Sequence, residues 1–231
     1  MAKRSDRDAK AFTRVGRQIA IAVKGGGSSP EGNPALRRAI QNARAVNMPK
    51  DKVQAAIDKA AGVGDDASYE QLIYEGYGPH GVALIVTTTT DNVTRTAANV
   101  RSAFKKGGGN MGTSGSVAFM FDQFGVFRLK DEESLDKETL ELELIDHGLE
   151  EAVEGEDDDG NPLWVLRCQR TGFGDLQSAL EARDVEVSSS GFEWVPQTTT
   201  SLSEEQIEEV GKLIDRLEAD DDVEEVFTNV E

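Results

Sequence analysis

Gln71 to Tyr77, the turn Gly78-Pro79-His80-Gly81, then Val82-Ala83-Leu84-Ile85-Val86-Thr87-Thr88-Thr89-Thr90 and Asp91-Asn92 form the stretch that decides the architecture. Two β-rich runs flank a turn, which predicts a hairpin. Asp91-Asn92 then offers a cap for a helix over residues 93–106, and Gly107-Gly108-Gly109 stops it. Ser116 to Phe121 alternates and predicts a further strand. Three strands and one helix leave one sheet face half covered, so a second helix and a fourth strand are required. The C-terminal end supplies both. Ser203 caps a helix over 204–218, Gln206 completes a Ser-x-x-Gln capping box, and Val223 to Val230 reads as a strand.

The residues between form a second set, complete in itself: strand 125–130, helix 137–147, strands near 150–154 and 162–168, helix 173–183 and strand 185–195. Upstream the periodicity is helical. Phe12, Val15, Ile19 and Val23 share one stripe, Asn33-Pro34 opens a second helix through Leu36 and Ile40, and Lys50 to Ala60 forms a third. The expected fold class is α+β: a helical N-terminal domain over 1–66, a discontinuous α+β domain over 67–124 plus 196–231, and an inserted acidic α+β domain over 125–195, the latter two ferredoxin-like in type.

Charge divides along the same line. The chain has 231 residues and a net charge of −18. Residues 1–60 hold 13 Lys and Arg against 5 Asp and Glu, whereas residues 131–231 hold 6 against 32. A basic head on an acidic body points to phosphate at the head, because local positive potential attracts it and an acidic surface repels it. The runs Glu154 to Asp159 and Asp220 to Glu225 are expected to be solvated surface, of the kind that maintains hydration at high salt.

Familiar catalytic and metal patterns are missing. Cys168 is the single cysteine and sits in the apolar run Trp164 to Cys168, so it is expected to be a buried small hydrophobe. His80 and His147 have no partner at metal-ligand spacing. Neither a phosphate-binding Gly-x-x-x-x-Gly-Lys-Ser/Thr loop nor a Gly-x-Ser-x-Gly elbow occurs. Asp157-Asp158-Asp159-Gly160-Asn161 resembles half a calcium loop but lacks the downstream glutamate, and reads as a turn. No apolar run reaches the roughly 20 residues of a membrane helix, and no secretory signal is read at the N-terminus, so cytoplasmic residence is the expectation. A non-enzymatic chain without cofactor, metal or small-molecule substrate follows.

Several blocks are specific enough to carry a resemblance: Tyr74-Glu75-Gly76-Tyr77-Gly78-Pro79-His80-Gly81-Val82-Ala83, then Thr90-Asp91-Asn92-Val93-Thr94-Arg95-Thr96, then Gly108-Gly109-Asn110-Met111-Gly112-Thr113-Ser114-Gly115-Ser116-Val117. With Asn47-Met48-Pro49-Lys50-Asp51, Asp220-Asp221-Asp222-Val223 and Thr228-Asn229, the chain resembles the YebC/PmpR family over nearly its whole length. The resemblance implies three domains, two of them α+β with one inserted in the other, and a cytoplasmic regulator. Bacterial members are described as transcriptional regulators that bind promoter DNA. Others, including the mitochondrial translational activator of cytochrome c oxidase, act on the ribosome, and some relieve stalling. Ala2 to Asp8 stands where the family usually carries a longer basic-aromatic arm.

The nucleic-acid contacts are expected from Lys3, Arg4, Arg7, Lys10, Arg14, Arg17 and Lys24 on the first helix, joined by Arg37, Arg38, Arg44, Lys50 and Lys52. Arg95, Arg101, Lys105 and Lys106 form a smaller set, explained equally by phosphate binding and by a helix macrodipole. No aromatic residues interleave the head's charges and no helix-turn-helix pattern is evident, so phosphate contact rather than base reading is expected. On this reading Arg14, Arg17, Arg37 and Arg38 are exposed, and replacing them by Gln leaves folding nearly intact.

Overall fold

The computed structural model describes residues 2–62, 68–130, 135–157 and 160–231, with side chains from residue 9 onward. Its N-terminal region is helical: α1 (Ala2–Gly26), α2 (Pro34–Ala45) and α3 (Lys50–Ala61). Asn33 caps α2 as its sequence position predicts, its side chain accepting the Leu36 amide at 3.0 Å while donating to the Ala22 and Gly27 carbonyls. α1 starts well ahead of the apolar stripe, because nothing in Ala2 to Asp8 opposes helix.

Then follow β1 (Glu70–Tyr77), β2 (Ala83–Thr90), α4 (Val93–Lys106), β3 (Asn110–Met111), β4 (Phe121–Lys130), α5 (Lys137–Ile145), β5 (Leu149–Glu156), β6 (Pro162–Gln169), α6 (Phe173–Ala182), β7 (Val187–Pro196), α7 (Glu204–Glu218) and β8 (Val223–Thr228). Two four-stranded antiparallel sheets result, ordered β3-β1-β2-β8 and β5-β6-β4-β7. The C-terminal helix and strand do complete the first sheet. β1 pairs with β2 in the register Tyr77↔Ala83 to Glu70↔Thr90, and β8 pairs with β2 on its other side.

The described residues gather into two compact units. The first comprises Met1–Arg17, Val63–Asp122 and Trp194–Glu231; the second comprises Gln18–Gly62 and Gln123–Glu193. In the first, β2 is buried on both faces, which is why its apolar run does not alternate. Val82, Leu84 and Val86 meet Val100 and Phe104 of α4 and Val210, Leu213 and Leu217 of α7, whereas Ala83 and Ile85 meet Val117 and Phe121. In the second unit, Leu140 and Leu144 of α5 and Leu176 and Leu180 of α6 cover Phe127, Trp164 and Leu166 of its sheet. Cys168 lies in that core as expected.

One predicted strand is absent. Residues 118–120 form a single 3-10 turn, and β4 begins only at Phe121. The reason is Glu75. Its buried carboxylate accepts the amides of Gly115 at 2.6 Å and of Val117 and Ala118 at 2.8 Å, which removes them from any ladder. Burial pushes the Glu75 carboxyl up, but the three amide bonds outweigh it and hold it below the usual carboxylate range.

Candidate nucleic-acid interface

The basic residues divide by what their side chains already hold. Asp222, expected to belong to a solvated acidic run, is instead buried at the centre of a network in the first unit. Its carboxylate accepts from Arg95 Nη2 at 2.6 Å, Thr96 Oγ1 at 2.7 Å, Thr90 Oγ1 at 3.1 Å and Arg17 Nη2 at 3.1 Å. Burial pushes this carboxyl up, and the bonds from Arg95, Thr96 and Thr90, with the charge of Arg17, bring it below its ordinary value. Arg17 also donates to the carbonyls of Asp221 at 2.6 Å and Thr89 at 3.0 Å, and lies over the Tyr69 ring. Both terminal nitrogens of the guanidinium are thus engaged inside the first unit.

Lys10 donates to the carbonyls of Glu218 and Ala219 at the end of α7, where a cation satisfies orphan acceptors and the helix dipole. In the second unit Arg37 pairs with Glu181 at 3.0 Å and also donates to the Pro30 and Glu31 carbonyls. Arg38 stands over the rings of Phe173 and Phe192, at 5.1 and 5.3 Å, and burial lowers its pKa. Arg14 is half-buried with Nε out of solvent. The expectation that Arg14, Arg17, Arg37 and Arg38 are exposed is therefore corrected: all four are half-buried, and Arg17, Arg37 and Arg38 are engaged by partners within their own units.

Other predicted cations face solvent. Lys24, Arg44, Lys50 and Lys52 are exposed, the last three around the short connection from α2 to α3. Arg101, Lys105 and Lys106 are exposed on the later turns of α4, whereas Arg95 is bound to Asp222 and Asp91. Among the described residues Arg44, Lys50, Lys105 and Lys106 take part in no ion pair. Lys3, Arg4 and Arg7 lie on the helical backbone of α1, with side chains outside the described residues. Among the described residues of α1, Lys10 and Arg17 use their charges internally.

The Gly78–Gly81 turn is also engaged. His80, with φ of 61°, contacts Glu209 Oε2 through Nε2 at 2.8 Å and Gln206 through Nδ1 at 3.4 Å. Asp157 accepts from the amide and side chain of Asn161 in the turn between β5 and β6, while residues 158–159 of the calcium-like run lie outside the described residues. Among the described residues no three acidic, His or Cys side chains are grouped as metal ligands, and no helix is long and apolar enough to cross a membrane.

With this geometry in place, comparison with known proteins accounts for the whole length. Residues 1–63 match the TACO1/YebC protein N-terminal domain, and residues 69–230 match the TACO1/YebC second and third domain. The chain belongs to the TACO1/YebC family. A probable transcriptional regulatory protein of Anaeromyxobacter dehalogenans strain 2CP-1 is 57% identical over 230 residues, covering 100% of this chain and 95% of the relative. One from Myxococcus xanthus is 53% identical over 230 residues, with the same coverage. A conserved hypothetical protein from Aquifex aeolicus, whose crystal structure is known, superposes with a TM-score of 0.84 at 36% identity, covering 100% of this chain and 93% of that one. TACO1/YebC relatives thus carry the name of transcriptional regulators on a fold of this kind.

Proposed function

We propose that this TACO1/YebC family chain is a transcriptional regulator that binds DNA phosphates through the exposed cations of its helical N-terminal domain. The observation that carries the reading is the partition of charge: Arg44 and Lys50 face solvent without an internal ion pair, whereas Lys10, Arg17, Arg37 and Arg38 are held. Lys24 and Lys52 extend the exposed set, and Arg101, Lys105 and Lys106 form a second one on α4. The relatives' name, probable transcriptional regulatory protein, supports the same reading. The three-domain division at 1–66, 67–124 with 196–231, and 125–195 belongs to this proposal as a statement about folding autonomy.

One observation favours a second target. α2 and α3 are joined by four residues, 46–49, the connection length of a helix-turn-helix, but the side-chain amide that α3 could offer to a base edge is bonded within the helix. Its Gln54 amide is bonded to Asp58 at 2.8 Å, and the charges flanking it alternate in sign. Phosphate-directed binding serves a ribosomal RNA backbone as well as duplex DNA. Duplex DNA retention and co-sedimentation with ribosomes, run on the full chain at one salt concentration, separate the two. Association with DNA alone supports the transcriptional reading, and association with ribosomes alone replaces it.

A further inference from the structure

The sheet of the first unit is covered differently on its two faces. α4 and α7 pack on the face that carries Val82, Leu84 and Val86, whereas on the other Val117 and Phe121 cover Ala83 and Ile85. Glu75 pairs with Ile85 and Tyr77 with Ala83, so Ile73, Glu75 and Tyr77 follow one another along β1 on this second face, about 7 Å apart. Glu75 is buried, but Ile73 and Tyr77 are 45% and 38% exposed. Phe119, on the turn between Val117 and Phe121, is 69% exposed. One exposed apolar side chain is ordinary, whereas an isoleucine and two aromatic rings around a single loop mark a contact surface.

That loop is held in place from below. Besides the three amide bonds to the Glu75 carboxylate, the Gly112 amide donates to the Glu75 carbonyl at 2.8 Å and the Tyr77 hydroxyl to the Ser116 carbonyl at 3.2 Å. Phe119 is therefore presented on backbone that is already ordered, which lowers the entropy lost on contact. Tyr77 also ties the loop to the end of α4. It pairs with Asn110 of β3, and Gly109, in the turn that follows Lys105 and Lys106, packs on its carbonyl. From residue 92 to residue 121 the chain carries Arg95, Arg101, Lys105 and Lys106 and no Asp or Glu, although it holds 43 of them in all. The exposed rings thus belong to the segment of an acidic body that does not repel phosphate.

We infer that this face binds an unpaired stretch of nucleic acid, with bases stacked on Phe119 and Tyr77 and the flanking phosphates drawn to Lys105 and Lys106. The loop seated on Glu75 parts Ile73 from Tyr77, so the exposed groups are separate footholds, which suit flat bases better than the continuous apolar centre of a protein partner. A four-stranded sheet with helices on one face and exposed rings on the other is how RNA-recognition domains stack bases. Every base has a π-face, so such a platform separates unpaired from paired strands without reading sequence or sugar. The inference rests on the proposed function only for the class of partner, since its aromatic residues lie outside the helical N-terminal domain.

The test uses the full chain with short fluorescein-labelled oligo-dT and oligo-U and a duplex of the same length, read by anisotropy. Phe119→Leu, still apolar but without a ring, should bind both oligonucleotides about tenfold more weakly and the duplex like the parent. Phe119→Trp should retain oligonucleotide binding, with its added indole emission quenched at saturation. Ile207→Ser, which removes an exposed isoleucine from α7, should bind the oligonucleotides like the parent. Thermal melts establish that each variant is folded. Should Arg44→Gln/Lys50→Gln leave duplex binding intact while Phe119→Leu loses the oligonucleotides, the proposed function fails and this inference stands. Oligonucleotide binding unchanged in Phe119→Leu, a loss confined to one sugar, an unquenched indole, or no oligonucleotide binding by the parent overturns it. Self-association of the parent that Phe119→Leu abolishes overturns it as well, because a second copy would then be the occupant.

Discussion

Asp222 brings four side-chain donors from two distant parts of the sequence, Arg17 on α1 and the run Thr90 to Thr96, to one buried carboxylate. Removing one partner of a buried charge pair leaves the other uncompensated, at about 3–5 kcal/mol. Asp222→Asn should therefore lower unfolding stability in urea by roughly 3 kcal/mol, and Arg17→Gln by about 2 kcal/mol. Both Asp222 and Glu75 are held below their ordinary values in the folded chain. Their contribution is fully present above the unfolded carboxylate pKa of about 4 and is lost as pH falls through the depressed folded values. Urea midpoints measured from pH 7 to pH 2 should thus fall steeply on the acid side in the parent and less steeply in Asp222→Asn. An acid limb unchanged by that substitution would contradict the network. The sequence shows acid density at Asp220-Asp221-Asp222 but not depth, which depends on Thr90, Arg95 and Arg17 arriving from elsewhere in the chain. Cys168 is different, since its apolar neighbours already place it inside; burial, aided by the charge of Glu150, pushes its thiol up to about 11. It should resist thiol reagents at pH 8 until the chain is unfolded.

Elements whose signals are local were legible. Asn33, Asn92 and Ser203 each accept an amide bond at a helix start, and Gln206 returns the bond to the Ser203 amide. Ser203→Ala should therefore cost about 1 kcal/mol, read as a shift in urea midpoint at constant slope. The segment from Ser116 to Phe121 was misread because its alternation is real but its amides answer to Glu75, some forty residues upstream. The glycine-rich run before it obeys similar distant constraints. A Cβ on Gly109 would lie 2.6 Å from the Tyr77 carbonyl oxygen, a backbone atom that cannot move aside cheaply. Gly109→Ala should destabilise the chain by about 1–3 kcal/mol, and a neutral result in thermal or urea unfolding would show that the strand edge is looser than drawn.

At the scale of the molecule, the segregation of charge was readable, and so was the completion of the first sheet by the C-terminal helix and strand. The use of each cation was not. Lys10 and Arg17 sit on α1 with the spacing of a basic ridge, but their partners are carbonyls and a carboxylate near residues 89 and 218–222. Composition counts a charge without saying whether it is already paired. The central claim is that phosphate is bound by the cations left over, and a salt-dependent titration tests it most directly. Duplex DNA or ribosomes, whichever the chain retains, is titrated at several salt concentrations with the parent, with Arg44→Gln/Lys50→Gln, and with Arg17→Gln. Each lost phosphate contact removes roughly one unit from the slope of log affinity against log salt. The account predicts a slope flatter by about two units and weaker binding for Arg44→Gln/Lys50→Gln at unchanged stability, and an unchanged slope at reduced stability for Arg17→Gln. The reverse pattern, with Arg17→Gln flattening the slope and the exposed pair leaving it untouched, would contradict it.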